Sequence, residues 1–283
     1  LPLARAAGRL AVSQMQYAAA EPLLFDALTR SSTDYESAYY LALARLALGD
    51  TLRARLLLEQ VQQFGVLRPS AVYWLAALDA RAGDLAGAYA RMRRATQDAP
   101  GAARLVGVAA MLARAQGRLP DARSVLTSAR AADPISPFLR YEARLTWGRD
   151  TVVMAHLAAD PERILEIATE YIRFGQYRDA LELLAATYPT AGVVSEPGMP
   201  RPERYPLIAY YRGCVRGRLG ESGAADFEAA SRMPTTYVFP NRPETFPVLA
   251  RALAVNPRGA TAHFPLGNLA MSGGMLDSAA SEW

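Results

Sequence analysis

At 283 residues the chain is long for one compact core, and a stack of small units suits it at least as well. Hydrophobic residues make up 51% of it, yet no run of about 18 apolar residues occurs, which excludes a membrane-spanning helix. The net charge is only +4 and its carriers are dispersed, so the basic stripe that marks nucleic-acid binding is missing. Every one of the 31 basic residues is arginine. That bias reads first as a genome rich in arginine codons, and second as a surface whose guanidinium forks could take carboxylates or phosphates. Much of the apolar content is alanine, the best helix former, and the alternation of Val, Ile and Thr expected of strands is nearly absent. The expected class is all-α.

In chain order, the first feature is a fixed period. Gly49, Gly83 and Gly117 are spaced by 34, and so are Ala54, Ala88 and Ala122, then Val61, Ala95 and Ala129. Pro100 and Pro134 close two of the units at the same spacing. One period earlier Met15 stands where a glycine belongs, while Gly8, Tyr17, Ala20, Leu24 and Ala27 keep phase. Four units therefore cover 1-34, 35-68, 69-102 and 103-136. In the third, a helix through Val72, Leu75, Ala76 and Asp79 should stop at Gly83, which tolerates a left-handed helix end. Asp84 can cap a second helix, Ala88 lets the two pack closely, and Pro100 ends it. One such pair cannot bury its apolar face, and stacking in register can.

From 137 to 189 the chemistry persists in two divergent units. Phe138 to Trp147 reads as a helix ended by Gly148, then a short helix from about Thr151 to Ala159. Asp160-Pro161 begins the next, with Ile164, Ile167, Ala168 and Tyr171 on one face and Gly175 at the turn. Residues 190-283 hold a proline-rich loop to Pro206, a unit with Ala209, Gly213, Gly220 and Ala225, a second insertion from Met233 to Pro247, a helix from Glu244 to Val255, and a truncated final unit with Ala262, Leu266, Gly267, Gly274, Leu276, Ala279 and Trp283. The ends at Leu1 and Trp283 suggest excision from a longer protein.

The glycine turns, matching alanines and terminal prolines resemble the tetratricopeptide repeat. That resemblance implies a right-handed α-α superhelix of antiparallel helix pairs, here about seven hairpin units with two proline-rich insertions. The order His156-Leu157, Asp160-Pro161, Pro206 to Tyr211, Tyr237 to Arg242 and His263 to Leu269 is also similar to the repeat region of large bacterial proteins. Those carry a β-rich, sugar-enzyme-like domain of poorly defined function ahead of the repeats. This second resemblance implies the helical part of a multidomain protein, with any catalytic residues outside it.

Chemistry is sparse. His156 and His263 are more than a hundred residues apart and each reads as a packed helix residue; Cys214 reads as a buried, inert thiol. No HExxH, GxSxG, phosphate-loop or dinucleotide fingerprint occurs, and the glycines of Gly213 to Gly220 fit repeat places, so no catalytic residue, metal or cofactor is expected. The family's concave face is lined by the second, fifth, sixth, ninth and thirteenth places of the first helices. Carried over, these are Arg5 and Arg9; Glu36, Tyr39, Tyr40 and Leu43; Tyr73, Trp74 and Arg81; and Arg104, Gly107 and Met111. The expected partner-binding residues are Arg5, Arg9, Tyr39, Tyr73, Trp74, Arg104 and Met111, although Tyr40 and Trp74 suit packing between helices equally well. The family's carboxylate-clamp places hold Arg5, Arg9, Tyr40, Ser70 and Trp74, without its asparagines, which argues against capture of a partner's C-terminus.

The resulting expectation is a protein-interaction scaffold whose groove takes a peptide or another domain of the same polypeptide, including its own N-terminal domain. The alternative is an accessory helical domain of a carbohydrate-active bacterial enzyme. End-to-end self-association through exposed stack ends is a third expectation. No nucleic acid is expected as a partner. The residues name no compartment, and the cytoplasm is the default.

Overall fold

The computed structural model describes residues 2–99, 101–148 and 152–283. Pro100 and Thr151, expected to end one helix and begin another, lie outside the described residues. All regular structure among the described residues is helical, and the chain divides into two compact units, 1–133 and 134–283.

The first unit is four hairpins of α1 (Pro2–Ser13) and α2 (Tyr17–Arg30), α3 (Tyr35–Ala47) and α4 (Thr51–Val61), α5 (Arg68–Arg81) and α6 (Leu85–Asp98), and α7 (Ala103–Ala115) and α8 (Leu119–Ala132). Within each hairpin, the first helix ends in the same device. Gly49, Gly83 and Gly117 take φ of 87°, 92° and 73°. The amide after each glycine donates back to a carbonyl five residues earlier, Asp50 to Arg45 at 2.8 Å, Asp84 to Asp79 at 3.0 Å and Arg118 to Ala113 at 2.9 Å. These bonds satisfy carbonyls that the helix end would otherwise strand. Met15 is forced into the same geometry, with φ of 60° and the Gln16 amide on the Ala11 carbonyl at 2.8 Å. A side chain there costs roughly 1 kcal/mol, so the stack imposes its turn on a residue poorly suited to it. Asp50 and Asp84 then cap the second helices, accepting the amides of Arg53 at 3.1 Å and Gly87 at 2.8 Å.

The core repeats with the sequence. Ala20, Ala54, Ala88 and Ala122 have no exposed surface, and neither do Leu24, Leu58, Met92 and Leu126 one turn on. Ala27, Val61, Ala95 and Ala129 complete the buried stripe. Gly8 shows why the facing place is small: a methyl group there would come within 2.5 Å of the Leu24 side chain. Its equivalents Ala42, Ala76 and Ala110 are fully buried.

The second unit contains α9 (Pro137–Trp147), α10 (Val152–Ala159), α11 (Pro161–Arg173), α12 (Tyr177–Leu184), a 3-10 turn (Pro202–Arg204), α13 (Pro206–Arg218), α14 (Ala224–Ser231), α15 (Thr245–Val255), α16 (Ala260–Ser272) and α17 (Leu276–Glu282). Asp160 caps α11 through the Glu162 amide at 3.1 Å, as its place before Pro161 predicts. The insertions are pinned by polar contacts. Arg242, from the second, pairs with the Glu162 carboxylate and donates to its carbonyl at 3.1 Å, while Glu244 pairs with Arg173 of α11. The first is held by Arg201, which donates to the Pro189 carbonyl at 3.0 Å. The two insertions meet where Gly198 lies against the Tyr237 ring, too close for a side chain.

Candidate functional site

The first helices of the initial unit carry the predicted residues, and what joins them is a cross-repeat pairing. The fifth place of one first helix meets the second place of the next: Arg5 with Glu36, Tyr39 with Ser70 and Tyr73 with Arg104, each 31 residues apart. Helices stacked in register necessarily oppose these places, so one geometry recurs with three chemistries.

At the start of the unit the pairing is ionic. Arg5 approaches Asp34 at 3.5 Å and Glu36 at 3.8 Å, and Arg9 pairs with Glu36 at 2.8 Å. Asp34 is itself the cap of α3, accepting from the Ser37 amide at 3.2 Å and hydroxyl at 2.8 Å. Arg5 and Arg9 are thus already engaged by carboxylates, and Arg9 stays mostly exposed beside its partner. Such solvent-facing pairs contribute about 0–1 kcal/mol and yield readily to a better-matched ligand.

Further along, the pairing is aromatic. Tyr39 and Tyr40 meet edge to face with centroids 5.5 Å apart, and Tyr73 and Trp74 do the same at 5.4 Å. Burial pushes the Tyr39 hydroxyl above its ordinary pKa, opposed by hydrogen bonds from the Trp74 and Ser70 side chains and by the positive charge of Arg104. The Arg104 guanidinium lies over the Tyr73 ring, 4.3 Å from its centroid, and donates to the Tyr73 hydroxyl at 2.8 Å. Tyr39, Tyr40 and Trp74 are half-buried, packed on the core yet partly open, and Arg104 is exposed. The packing expected as an alternative for Tyr40 and Trp74 therefore coexists with exposure.

Two predicted contact residues have little surface to offer. Tyr73 is only 3% exposed, so it acts as the support beneath Arg104. Met111 has no exposed surface, because α7 is buried continuously from Leu105 to Ala113 around its whole circumference; as a surface contact it is corrected to a core residue, with Gly107 beside it.

Glu36 and Ser70 stand at predicted places, but single places do not give their pairing with Arg5, Arg9 and Tyr39, and Asp34 is at none of those places. The 31-residue offset between fifth and second places carries the signal for Arg5 with Glu36 and Tyr39 with Ser70, but not for Asp34 or for Arg9. Also unread was a polar cluster in which Asp79 accepts from Arg55 at 2.6 Å and from Arg91 at 2.7 Å, while Arg91 reaches Glu59 at 2.9 Å. It ties α4, α5 and α6 together and serves the stack itself.

In the second unit the histidines depart from the expected packed state. His156 is exposed, with Nδ1 2.8 Å from Arg140, and His263 shares Nδ1 with Glu282 at 2.6 Å and Nε2 with the Pro257 carbonyl at 3.0 Å. A buried imidazole must find partners for two ring nitrogens, and here both rings meet polar partners at the surface. Cys214 is partly buried, and that burial pushes its thiol up to about 11, so it carries little thiolate at neutral pH. No group of three His, Cys, Asp or Glu side chains among the described residues is placed to hold a metal ion. No described helix is long and apolar enough to cross a membrane.

No protein-family model matches the chain, and no curated protein matches it. Solved structures do. A tetratricopeptide repeat protein from Parabacteroides merdae superposes over 90% of this chain and 97% of its own, with a TM-score of 0.52 at 14% identity. A thermophilic protein of the same repeat class from Thermus thermophilus matches 65% of this chain and 88% of its own, at 19% identity and a TM-score of 0.42. Yeast Tom70 matches 95% of this chain and 54% of its own, at 12% identity and a TM-score of 0.45. The first of these likenesses, together with the 34-residue hairpins, shows the fold to be the tetratricopeptide type of helical-hairpin repeat.

Proposed function

We propose that the chain is a binding scaffold whose first unit holds an extended peptide segment, from another protein or from elsewhere in the same polypeptide, along the face formed by α1, α3, α5 and the first turn of α7. The observation that carries this reading is the continuous row from Arg9 and Glu36 through Tyr39, Tyr40 and Trp74 to Arg104, built from four successive first helices. Half-buried aromatics and arginines are the side chains that supply most binding energy in protein interfaces. Their core-packed sides hold them rigid, so little side-chain entropy is lost when a partner covers their open sides. The chemistry favours a peptide with aromatic and acidic side chains: rings to extend the edge-to-face cluster, and carboxylates to displace Glu36 from Arg9 or to reach Arg104.

The test is selection from a peptide array, repeated with Tyr39→Ala and Trp74→Ala. Tyr73 is better probed by Phe, since its ring is core and Ala would remove packing. Selected peptides rich in aromatic and acidic residues, lost on either Ala change, support the reading; peptides retained by both variants overturn it.

A further inference from the structure

A second surface of the first unit has a different chemistry. Ala86, Tyr89, Ala90, Arg93, Arg94 and Gln97 form one stripe of α6 and, with Arg118 from the turn before α8, line a cleft of about 360 Å3. The spacing by three and four residues puts all six α6 side chains on one face. Ala86 and Ala90 are exposed and small, so a ligand can approach the helix closely between the longer side chains. Arg93 and Arg94 are exposed and form no ion pair among the described residues. Arg118 lies over the Tyr89 ring, 4.7 Å from its centroid, and shares one carboxylate, Asp121, at 2.7 Å. The nearest acid in sequence on α6, Asp98, is directed to Arg68 at 3.7 Å. Three guanidinium groups therefore surround a cavity with one carboxylate on its rim.

We infer that this cleft binds a phosphate monoester, carried as a phosphorylated side chain by a protein partner. Paired guanidinium forks match the oxygens of a dianion, and a phosphoryl group brings nearly two negative charges where a carboxylate brings one. The excess of two cations over the single rim carboxylate fits the former. Nucleic acid fits less well. Tyr89 is 4% exposed with its face covered by Arg118, and no other ring lines the cleft, so no platform for base stacking exists. The arginines are also gathered at one point instead of tracking a backbone. This cleft is independent of the aromatic face of the first helices.

The experiment is a fluorescence-anisotropy titration of the full chain with labelled Ala-Gly-phosphoserine-Gly-Ala, alongside its unphosphorylated form, its glutamate form and a short single-stranded RNA. The phosphopeptide should bind at least about tenfold more tightly than the glutamate form, in keeping with its extra charge. Ala90→Glu places a carboxylate three and four residues before Arg93 and Arg94 on a helix-compatible site, filling the cleft without harming the fold. It and the double change Arg93→Gln/Arg94→Gln should each cost about tenfold or more in phosphopeptide affinity. Arg123→Gln, on exposed α8 surface outside the cleft, should leave affinity unchanged. Equal affinity for the phosphorylated and glutamate peptides, insensitivity to Ala90→Glu, or tighter binding of the RNA than of the phosphopeptide would each overturn the assignment.

Discussion

Arg104 stacks on Tyr73 across the boundary between two repeats, its guanidinium 4.3 Å from the ring centroid and one N–H on the hydroxyl at 2.8 Å. The contact links α5 to α7 while leaving the arginine exposed. It therefore does two jobs, joining neighbouring repeats and presenting a fixed cation. Arg104→Gln should lower unfolding free energy by about 1 kcal/mol, the usual scale of one cation–π contact plus one hydrogen bond at a part-exposed site. Tyr73→Phe should lose less, since the ring stays. Urea unfolding followed by circular dichroism measures both; a larger loss for Phe than for Gln would contradict this division.

Met15 offers the converse experiment. It sits in the left-handed region with φ of 60°, at the place where its three counterparts are glycine. Met15→Gly should stabilise the first hairpin by about 1 kcal/mol, the strain removed outweighing the extra freedom of the unfolded chain. Thermal unfolding would show a raised midpoint. An unchanged or lower midpoint would mean that the methionine side chain, which is partly buried, contributes more packing than its backbone costs.

In the second unit, Glu162 is shared by Arg242 and by the Tyr205 hydroxyl, so one carboxylate anchors the second insertion and the chain leading into α13. Glu162→Gln should cost about 2 kcal/mol, because Arg242 is left with a neutral partner in a half-buried site. The pair Glu162→Met/Arg242→Met should recover part of the loss, since no charge is then stranded. Measured against Glu162→Met and Arg242→Met alone, strict additivity of the pair would show that the ion pair does not hold the insertion.

Alkaline pH should destabilise the fold in a defined window. Burial raises the hydroxyls of Tyr141, Tyr188, Tyr205 and Tyr211 well above their ordinary value, and that of Tyr210 to about 12. In the unfolded chain these groups ionise near 10. The stability they contribute is thus fully present below pH of about 10 and is lost as pH rises from there towards the folded-state values, by up to about 1.4 kcal/mol per pH unit for each tyrosine. The chain has no lysine to titrate alongside them. Denaturant midpoints should be flat from pH 7 to 9 and fall beyond 10, with delayed tyrosinate absorbance; a flat midpoint to pH 11 would contradict this.

The regular part of the fold was legible because the constraint is local and repeated. Glycine at a left-handed turn, aspartate at a cap and alanine at a crossing are each dictated by backbone geometry, so Gly49, Asp50 and Ala54 announce a hairpin without knowledge of its neighbours. The candidate site was only half legible. Its residues lie at readable places, but Ser70 and Glu36 matter through the repeat stacked beside them, a relation visible only when places 31 apart are compared. Met111 misled because place alone says which way a residue points and not what later covers it. The insertions were recognisable as loops from their prolines, whereas the Arg242–Glu162 contact spans 80 residues and leaves no periodic trace.

Whether the aromatic face binds a partner is measured most directly by the affinity of an array-selected peptide for the unchanged chain and for Tyr39→Ala. Isothermal titration gives both values, with circular dichroism confirming equal helicity. Removing a half-buried ring at the centre of the row should weaken binding by about tenfold or more, the scale of an interface hot spot. Equal affinity for the two proteins would contradict the assignment of the face formed by α3, α5 and the first turn of α7.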